Sequence, residues 1–315
     1  MPLALLFPGQ GSQEVGMGRD LARSHPVAAR TFEEADETLG FSLSRIMWEG
    51  PDDELVRTAN AQPAILAHSV AVLRVVQDQL GPVTLAAGHS LGEFSAHVAS
   101  GTLDFRDALQ AVRIRGELML AAGEARPGAM AALLGLEEDE ALAVCEAASR
   151  SGSVVVTANL NSPGQIVISG DLDAVERALP LARDAGARKA VPLKVSGAFH
   201  SPLMEPAREG LRRHLESVRF RRSRFPVVAN VDARPVYEPD RVRELLVEQL
   251  TSPVRWQDCV ETMVASGIDR FVELGPGTVL RGLNRRIARG VPTDSVGTTE
   301  DVSMLLGVAE EAGSA

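Results

Sequence analysis

The pentapeptide Gly88-His89-Ser90-Leu91-Gly92 constrains the fold more than any other stretch of this chain. It follows an apolar run over residues 83–87, which predicts a buried strand, and it precedes a segment with helical periodicity. The pattern G-x-S-x-G between a strand and a helix is typical of a nucleophile elbow. Side chains two residues from the serine would collide in so sharp a turn, which accounts for both glycines. The stretch predicts a nucleophilic Ser90; the alternative is a Gly-Ser turn without chemistry.

The composition limits the class of protein. The chain has 315 residues, 45% of them hydrophobic, which is enough for one large and one smaller unit. A net charge of −10 argues against a general nucleic-acid binder. The two cysteines, Cys145 and Cys259, have no metal-ligand spacing and indicate a reducing compartment. With no signal-peptide pattern and no apolar run of ~20 residues, we expect a cytoplasmic protein without a membrane span.

The first apolar run, residues 3–7, predicts a buried strand that stops at Pro8. The glycine-rich loop at residues 8–13 lacks both G-x-G-x-x-G and G-K-[ST], so we reject a nucleotide-binding interpretation. Such a loop can still bring backbone N–H groups close to a ligand. Further along, apolar spacing predicts a helix over residues 62–80, with Pro63 in its first turn.

The pattern changes after Arg126-Pro127-Gly128. Strands and helices follow in the order βαββαβ within about 65 residues, which is the ferredoxin-like arrangement. We therefore predict an α/β protein in which residues 1–127 and 196–315 form a large, discontinuous domain. Residues 128–195 form a small domain inserted into it.

A catalytic partner for Ser90 is expected among the six histidines. His200 differs from the others because it lies on a loop flanked by glycine and proline, far downstream of the serine. Serine before histidine is the order of α/β-hydrolase-like sites, although a loop histidine can also be purely structural. The acids between them, Asp171, Asp173 and Asp184, fall in the predicted insert, so a backbone carbonyl could hold the histidine N–H instead.

Five motifs together resemble the malonyl-CoA:acyl carrier protein transacylase family. They are FPGQGSQ at 7–13, GHSLGEFSA at 88–96, GAFHSPLM at 197–204, NVDA at 230–233 and ELGPG at 273–277. The resemblance runs from about residue 3 to residue 287, with the motifs in the expected order. It implies a large α/β-hydrolase-like domain with a mainly parallel sheet and an inserted ferredoxin-like domain.

The resemblance also assigns roles to residues of this chain. It implies that Ser90 is the nucleophile and that His200 is the general base and later the general acid. The backbone N–H groups of Gln10 and Leu91 match the oxyanion hole of the family. Gln249 matches the residue whose backbone carbonyl orients the histidine, which would account for the missing acid.

Two further residues are expected to bind the substrate. Arg115 matches the arginine that pairs with the malonyl carboxylate, although an arginine on an amphipathic helix more often faces solvent. Asn230 matches a position lining the same site. The triplet Ala198-Phe199-His200 is similar to the malonyl type, which favours an unbranched malonyl group over methylmalonyl.

The implied reaction moves a malonyl group from malonyl-CoA to the phosphopantetheine thiol of acyl carrier protein, without a cofactor or a metal. A monomer serving fatty-acid synthesis is expected, and a polyketide carrier is the alternative. An acidic carrier requires a basic docking surface on this acidic chain. The candidates are Arg285 and Arg286, with Arg281 and Arg289 beside them; the alternative cluster is Arg221, Arg222 and Arg224. Either cluster could instead be an ordinary solvated face.

Two other functions compete with this interpretation. A serine esterase or thioesterase would share the elbow but would have no need of Arg115 or the insert. A carrier-binding scaffold without activity would not need Ser90, His200 and the glycine loop together. Free malonate formed without carrier would favour the hydrolase, whereas acylation of Ser90 would exclude the scaffold.

Overall fold

The computed structural model describes residues 2–307. Its strands are β1 Leu3–Phe7, β2 Val83–Gly88, β3 Gly128–Leu134, β4 Val155–Ser162, β5 Gln165–Asp171, β6 Lys189–Pro192, β7 Val227–Val228, β8 Pro235–Val236, β9 Arg270–Leu274 and β10 Thr293–Val296. Its α-helices are α1 Arg19–Ser24, α2 Pro26–Leu39, α3 Leu43–Glu49, α4 Asp52–Leu55, α5 Thr58–Val76, α6 Gly92–Ala99, α7 Phe105–Ala125, α8 Glu138–Ala148, α9 Leu172–Asp184, α10 Glu205–Glu216, α11 Pro239–Glu248, α12 Trp256–Ala265, α13 Val279–Ile287 and α14 Thr299–Leu306. Short 3₁₀ turns span Pro202–Met204 and Gln249–Thr251.

The larger sheet has the strand order β10-β9-β1-β2-β7-β8. All its neighbouring strands are parallel except β7 and β8, which pair antiparallel. Every residue of β1 is buried, because helices cover both faces of a parallel sheet and leave no polar side. This explains why residues 3–7 are apolar without alternation, and it confirms the predicted mainly parallel α/β sheet.

The smaller sheet is antiparallel, with the order β4-β5-β3-β6. Helices α8 and α9 pack against it around a hydrophobic core of its own, so the chain order βαββαβ is ferredoxin-like, as predicted. The strand β4 also reaches the larger unit: the Leu160 N–H donates to the Val254 carbonyl (2.9 Å) and the Val254 N–H donates to the Ala158 carbonyl (2.8 Å). These backbone bonds join β4 to the segment just before α12 of the larger unit.

Helix α5 begins earlier than predicted, at Thr58, so that Pro63 lies in its second turn. Proline has no N–H to bond the carbonyl of Ala59, four residues before it. That carbonyl instead accepts a hydrogen bond from Arg113 Nη1 on α7 (3.1 Å). Nearly all of α5 is buried against α2 and α7, as expected for a helix that is apolar on all sides.

No helix within residues 2–307 combines the length and the apolar character needed to cross a membrane.

Candidate active site

The elbow between β2 and α6 has the geometry that its glycines predict. Ser90 adopts a left-handed backbone conformation with φ of 51°, which costs energy and occurs mainly where surrounding structure enforces it. A Cβ on Gly88 would lie 1.9 Å from the Gly92 carbonyl carbon, and one on Gly92 would lie 2.1 Å from the Phe7 oxygen. Both positions therefore require glycine for β2, α6 and β1 to approach this closely.

The elbow brings Ser90 to the predicted histidine, 110 residues away in sequence. Ser90 Oγ lies 2.8 Å from His200 Nε2, and His200 Nδ1 lies 2.9 Å from the backbone oxygen of Gln249. A carbonyl only accepts hydrogen bonds, so Nδ1 carries the proton and Nε2 is left to accept from the serine hydroxyl. The imidazole is thus held in the tautomer that a general base needs, without a carboxylate.

His200 is held as a neutral base by its surroundings. The side chain is buried, and its burial together with the positive charge of Arg115 lowers the pKa of His200 to about 3. The residue also has a left-handed backbone with φ of 58°, two residues before the turn at Pro202–Met204. At neutral pH the ring is therefore unprotonated and able to take a proton from Ser90.

Arg115 is a buried cation, not a solvent-facing arginine. It lies on α7 and is 1% exposed. Its Nη1 donates to Gln62 Oε1 (2.7 Å), and its Nη2 donates to Gln249 Oε1 (2.9 Å) and to Ser90 Oγ (3.0 Å). Burial lowers the pKa of Arg115 to about 10, so the guanidinium stays charged at neutral pH. Within residues 2–307 no carboxylate lies at salt-bridge distance from it.

Asn230 lies behind the elbow and does not line the cleft. Its Oδ1 accepts from the backbone N–H of Ser90 (2.7 Å), and its Nδ2 donates to the carbonyl of Gly88 (2.8 Å). The side chain is fully buried. The amide therefore braces the strained turn, whereas the sequence suggested a residue that contacts substrate.

Gln10 and Leu91 both line the cleft with Ser90. Across the described residues, neither of their backbone N–H groups has a hydrogen-bond acceptor, so both are free to meet a ligand oxygen. A Cβ on Gly9 would lie 2.5 Å from the His89 carbonyl oxygen, so only glycine lets the first loop come this close to the elbow. The side chain of Gln10 accepts from Thr58 Oγ1 (2.8 Å), which anchors the loop on α5.

The cleft has a volume of about 370 Å³ and lies between the two sheets. Met119 and Phe199 of the larger unit and Met130 of the smaller one provide apolar walls. Ser90 and Arg115 also line the cleft, which therefore combines apolar walls with a few placed polar groups, as in ligand sites generally. Among the described residues, no group of three or more His, Cys, Asp or Glu side chains is arranged to hold a metal ion.

The predicted docking residues lie away from this cleft. Arg285 and Arg286 are exposed on α13 and do not contribute to the cleft lining. Arg286 Nη1 donates to Gln165 Oε1 at the start of β5 (3.1 Å), so this helix contacts the smaller sheet.

Sequence reasoning missed two residues that hold the site together. Gln62 on α5 accepts from Arg115, and Glu93 on α6 accepts from Gln249 Nε2 (2.7 Å) and from the backbone N–H of Asn230 (3.1 Å). In the sequence, Glu93 resembles an ordinary acidic residue in the first turn of a helix, a position that the helix dipole favours. The available signals were its position three residues after Ser90 and its place inside the motif GHSLGEFSA.

Known proteins resemble this chain over nearly its whole length. The family model described as "Acyl transferase domain" matches residues 4–300. The chain is 45% identical, over 98% of both lengths, to a malonyl CoA-acyl carrier protein transacylase of Bacillus subtilis. Among solved structures, an acyl carrier protein S-malonyltransferase of Vibrio cholerae superimposes with a TM-score of 0.94 at 44% identity, covering 97% of this chain and all of that one.

A second solved structure contains a carrier. It is a malonyl-transacylase in complex with a type II PKS acyl carrier protein, with a TM-score of 0.93 and 42% identity over 98% of this chain and all of that one. Together with the elbow and its histidine, these matches show that the chain belongs to the acyl transferase domain family, in the group of malonyl-CoA–acyl carrier protein transacylases.

Proposed function

We propose that this chain transfers a malonyl group from malonyl-CoA to the phosphopantetheine thiol of acyl carrier protein, through a malonyl ester on Ser90. The observation that supports this most is the buried guanidinium of Arg115, which donates to the nucleophilic oxygen itself (3.0 Å). A buried cation beside the nucleophile favours an acyl group that carries its own carboxylate. Malonyl-CoA has such a carboxylate and acetyl-CoA does not.

In the first half-reaction, Ser90 Oγ attacks the thioester carbonyl while His200 Nε2 accepts the hydroxyl proton. The carbonyl oxygen becomes an oxyanion, which the N–H groups of Gln10 and Leu91 stabilise. The C–S bond then breaks, and the proton on His200 passes to the departing CoA sulfur. The Gln249 carbonyl, 2.9 Å from Nδ1, stabilises the imidazolium formed in between.

In the second half-reaction, the carrier thiol gives its proton to His200 and its sulfur attacks the malonyl-serine ester. The bond to Ser90 Oγ breaks, and the serine oxygen recovers the proton. Neither half changes an oxidation state, so neither needs a redox cofactor, and the proton transfers above are carried out by His200. A single chain contains all the residues that these steps use, and we propose that it acts as a monomer that supplies fatty-acid synthesis.

Brief mixing with malonyl-CoA in the absence of carrier is expected to add the mass of one malonyl group to the protein. Peptide mapping should place the addition on Ser90, because its oxygen is the one that His200 activates. Addition of carrier with a free thiol should then remove the label and yield malonyl carrier. Release of free malonate at the same rate without carrier would instead indicate a hydrolase, and an unlabelled protein would refute covalent catalysis.

Reversing the charge of Arg285 and Arg286 to glutamate should raise the apparent KM for carrier roughly tenfold, because charge complementarity governs encounter with an acidic partner. The KM for malonyl-CoA should stay nearly unchanged, since neither residue lines the cleft. Steady-state kinetics with each substrate varied in turn measures both values. Glutamate at Arg221 and Arg222 is the matched comparison; a larger rise in the carrier KM from that pair would place the dock at the alternative cluster.

A further inference from the structure

Glu93 forms hydrogen bonds with both Gln249 and Asn230, the residues that position His200 and Ser90. Its carboxylate oxygen Oε2 accepts from Gln249 Nε2 (2.7 Å) and from the backbone N–H of Asn230 (3.1 Å). The backbone of Gln249 holds His200, and the amide of Asn230 holds the N–H of Ser90. One buried carboxylate therefore anchors the supports of both the nucleophile and the base.

The same carboxylate is linked to Arg115 through a single amide. The amide of Gln249 donates from Nε2 to Glu93 and accepts at Oε1 from Arg115 Nη2 (2.9 Å). The two charged groups therefore bind the two polar atoms of one amide. Both charged residues are buried. A buried guanidinium is costly without an opposite charge nearby, and in the part of the chain that the structure describes it has no carboxylate in direct contact. Glu93 is thus placed to balance the charge of Arg115 while the cleft is empty.

We infer that Glu93 is the resident counter-ion of Arg115, and that it takes up a proton when the carboxylate of the acyl group binds to that guanidinium. This inference rests on the proposed function, because it requires a substrate with a free carboxylate. Two anions beside one cation would leave an excess negative charge in a buried site. Protonation of Glu93 removes that excess and keeps an oxygen available for Gln249 and Asn230. Glu93 is a positioning residue, since it acts through these neighbours.

The surroundings of Glu93 bring its titration into the neutral range. Burial raises the pKa of Glu93 to about 7, against the opposing effect of hydrogen bonds from Asn230 and Gln249 and of the positive charge on Arg115. The other charged or titratable groups that face it are His97 Nε2 at 4.0 Å from its Oε1, Asp232, and the Cys259 thiol. His97 stays neutral because burial lowers its pKa to about 3, and burial raises the pKa of Cys259, which also stays neutral.

The direction of the pH effect follows from this. Well below pH 7 Glu93 mostly holds its proton already, so binding of a malonyl carboxylate requires little further change. Above pH 7 a proton must be taken from solution, and binding weakens as pH rises. In the wild type, the KM for malonyl-CoA should therefore rise roughly tenfold between pH 6.5 and 8.5, a coupling of ordinary size. The KM for acetyl-CoA, which has the same CoA phosphates and no acyl carboxylate, should not rise in parallel.

Glu93→Gln tests the inference directly. Glutamine keeps an oxygen that can accept from Gln249 and Asn230, and Glu93 Oε1 has no partner within residues 2–307, which leaves a place for the new NH₂ group. We expect this variant to have a low KM for malonyl-CoA that no longer varies between pH 6.5 and 8.5. When Arg115 is already replaced by alanine, adding Glu93→Gln should change the KM for malonyl-CoA little. Glu124→Gln on the exposed side of α7 is the matched control and should retain the wild-type profile.

The outcomes separate this inference from the proposed function. If no malonyl-serine forms in the wild type, the proposed function fails. If it forms but Glu93→Gln retains the wild-type KM profile, the counter-ion role is refuted. Should that variant not fold, calorimetric titration of Ser90→Ala with malonyl-CoA at pH 8, in two buffers of different ionisation enthalpy, measures proton uptake. Uptake no greater than with acetyl-CoA would overturn the inference, and greater uptake with malonyl-CoA would support it.

Discussion

Replacing Ser90 with alanine is expected to lower kcat for malonyl transfer by about 10⁶-fold, the scale seen when a serine enzyme loses its nucleophile. The reason is that Ser90 Oγ, 2.8 Å from His200 Nε2, is the one nucleophilic group that this nitrogen contacts among the described residues. Residual transfer would depend on substrate positioning and on the oxyanion donors alone. A coupled assay that follows malonyl carrier formation, with the acyl-enzyme measured by mass, checks both the rate and the intermediate.

The fold should survive this substitution, because the backbone of Ser90 is held by Asn230 whatever the side chain. Ser95→Ala provides the matched control: it removes a buried hydroxyl from α6, the helix that follows the elbow, and this hydroxyl makes no hydrogen bond in the described structure. We expect near wild-type kcat from that control. A Ser90→Ala variant within about tenfold of wild type would show that another group forms the covalent intermediate or that none forms.

The second large effect concerns which acyl group is accepted. Arg115→Ala should lower kcat/KM for malonyl-CoA by roughly 10²–10³-fold, since losing one partner of a buried charged pair costs about 2–5 kcal/mol. The kcat/KM for acetyl-CoA, which has no carboxylate, should fall much less, so the preference for malonyl-CoA over acetyl-CoA should shrink. Some loss with both is expected, because Arg115 also donates to Ser90 Oγ and to Gln249 Oε1.

The measurement is the ratio of kcat/KM for the two thioesters, which cancels losses that they share. Arg106→Ala on the same helix is the control, because its side chain is 54% exposed and its ion pairs within residues 2–307 are with Glu34 and Glu37 of α2. That variant should keep the wild-type ratio. Equal losses of malonyl and acetyl transfer in Arg115→Ala would restrict the arginine to a structural role.

Local patterns in the sequence predicted the main strands and sheets correctly. The unbroken apolar run of β1 predicted a strand buried on both faces, and the order of elements between residues 128 and 195 predicted the antiparallel sheet. The start of α5 was predicted wrongly. Proline is favoured in a first helical turn, but here a side chain from α7 satisfies the carbonyl that Pro63 leaves free. That compensation comes from outside the helix, so no local pattern predicts it.

The roles of the polar residues were harder to predict from the sequence. Arg113 and Arg115 are two residues apart on α7, yet the first is 27% exposed at its side chain and pairs with Glu117, whereas the second is buried against the nucleophile. Asn230 was expected to face substrate and instead braces the elbow. An arginine or asparagine in a helix or loop has the same local propensity in either setting, so only packing between distant segments separates the alternatives.

By itself, then, the sequence determined the strand–turn–helix that presents Ser90, because a Cβ at Gly88 or Gly92 would overlap neighbouring backbone. It also determined the two sheets, through the periodicity of apolar residues. Only the tertiary structure decided that Glu93, Gln249 and Arg115 form one buried, hydrogen-bonded chain behind the nucleophile. The physical reason is that burial and electrostatic partners arise where α6, α7 and the segment after α11 converge, and these meet only in the folded molecule.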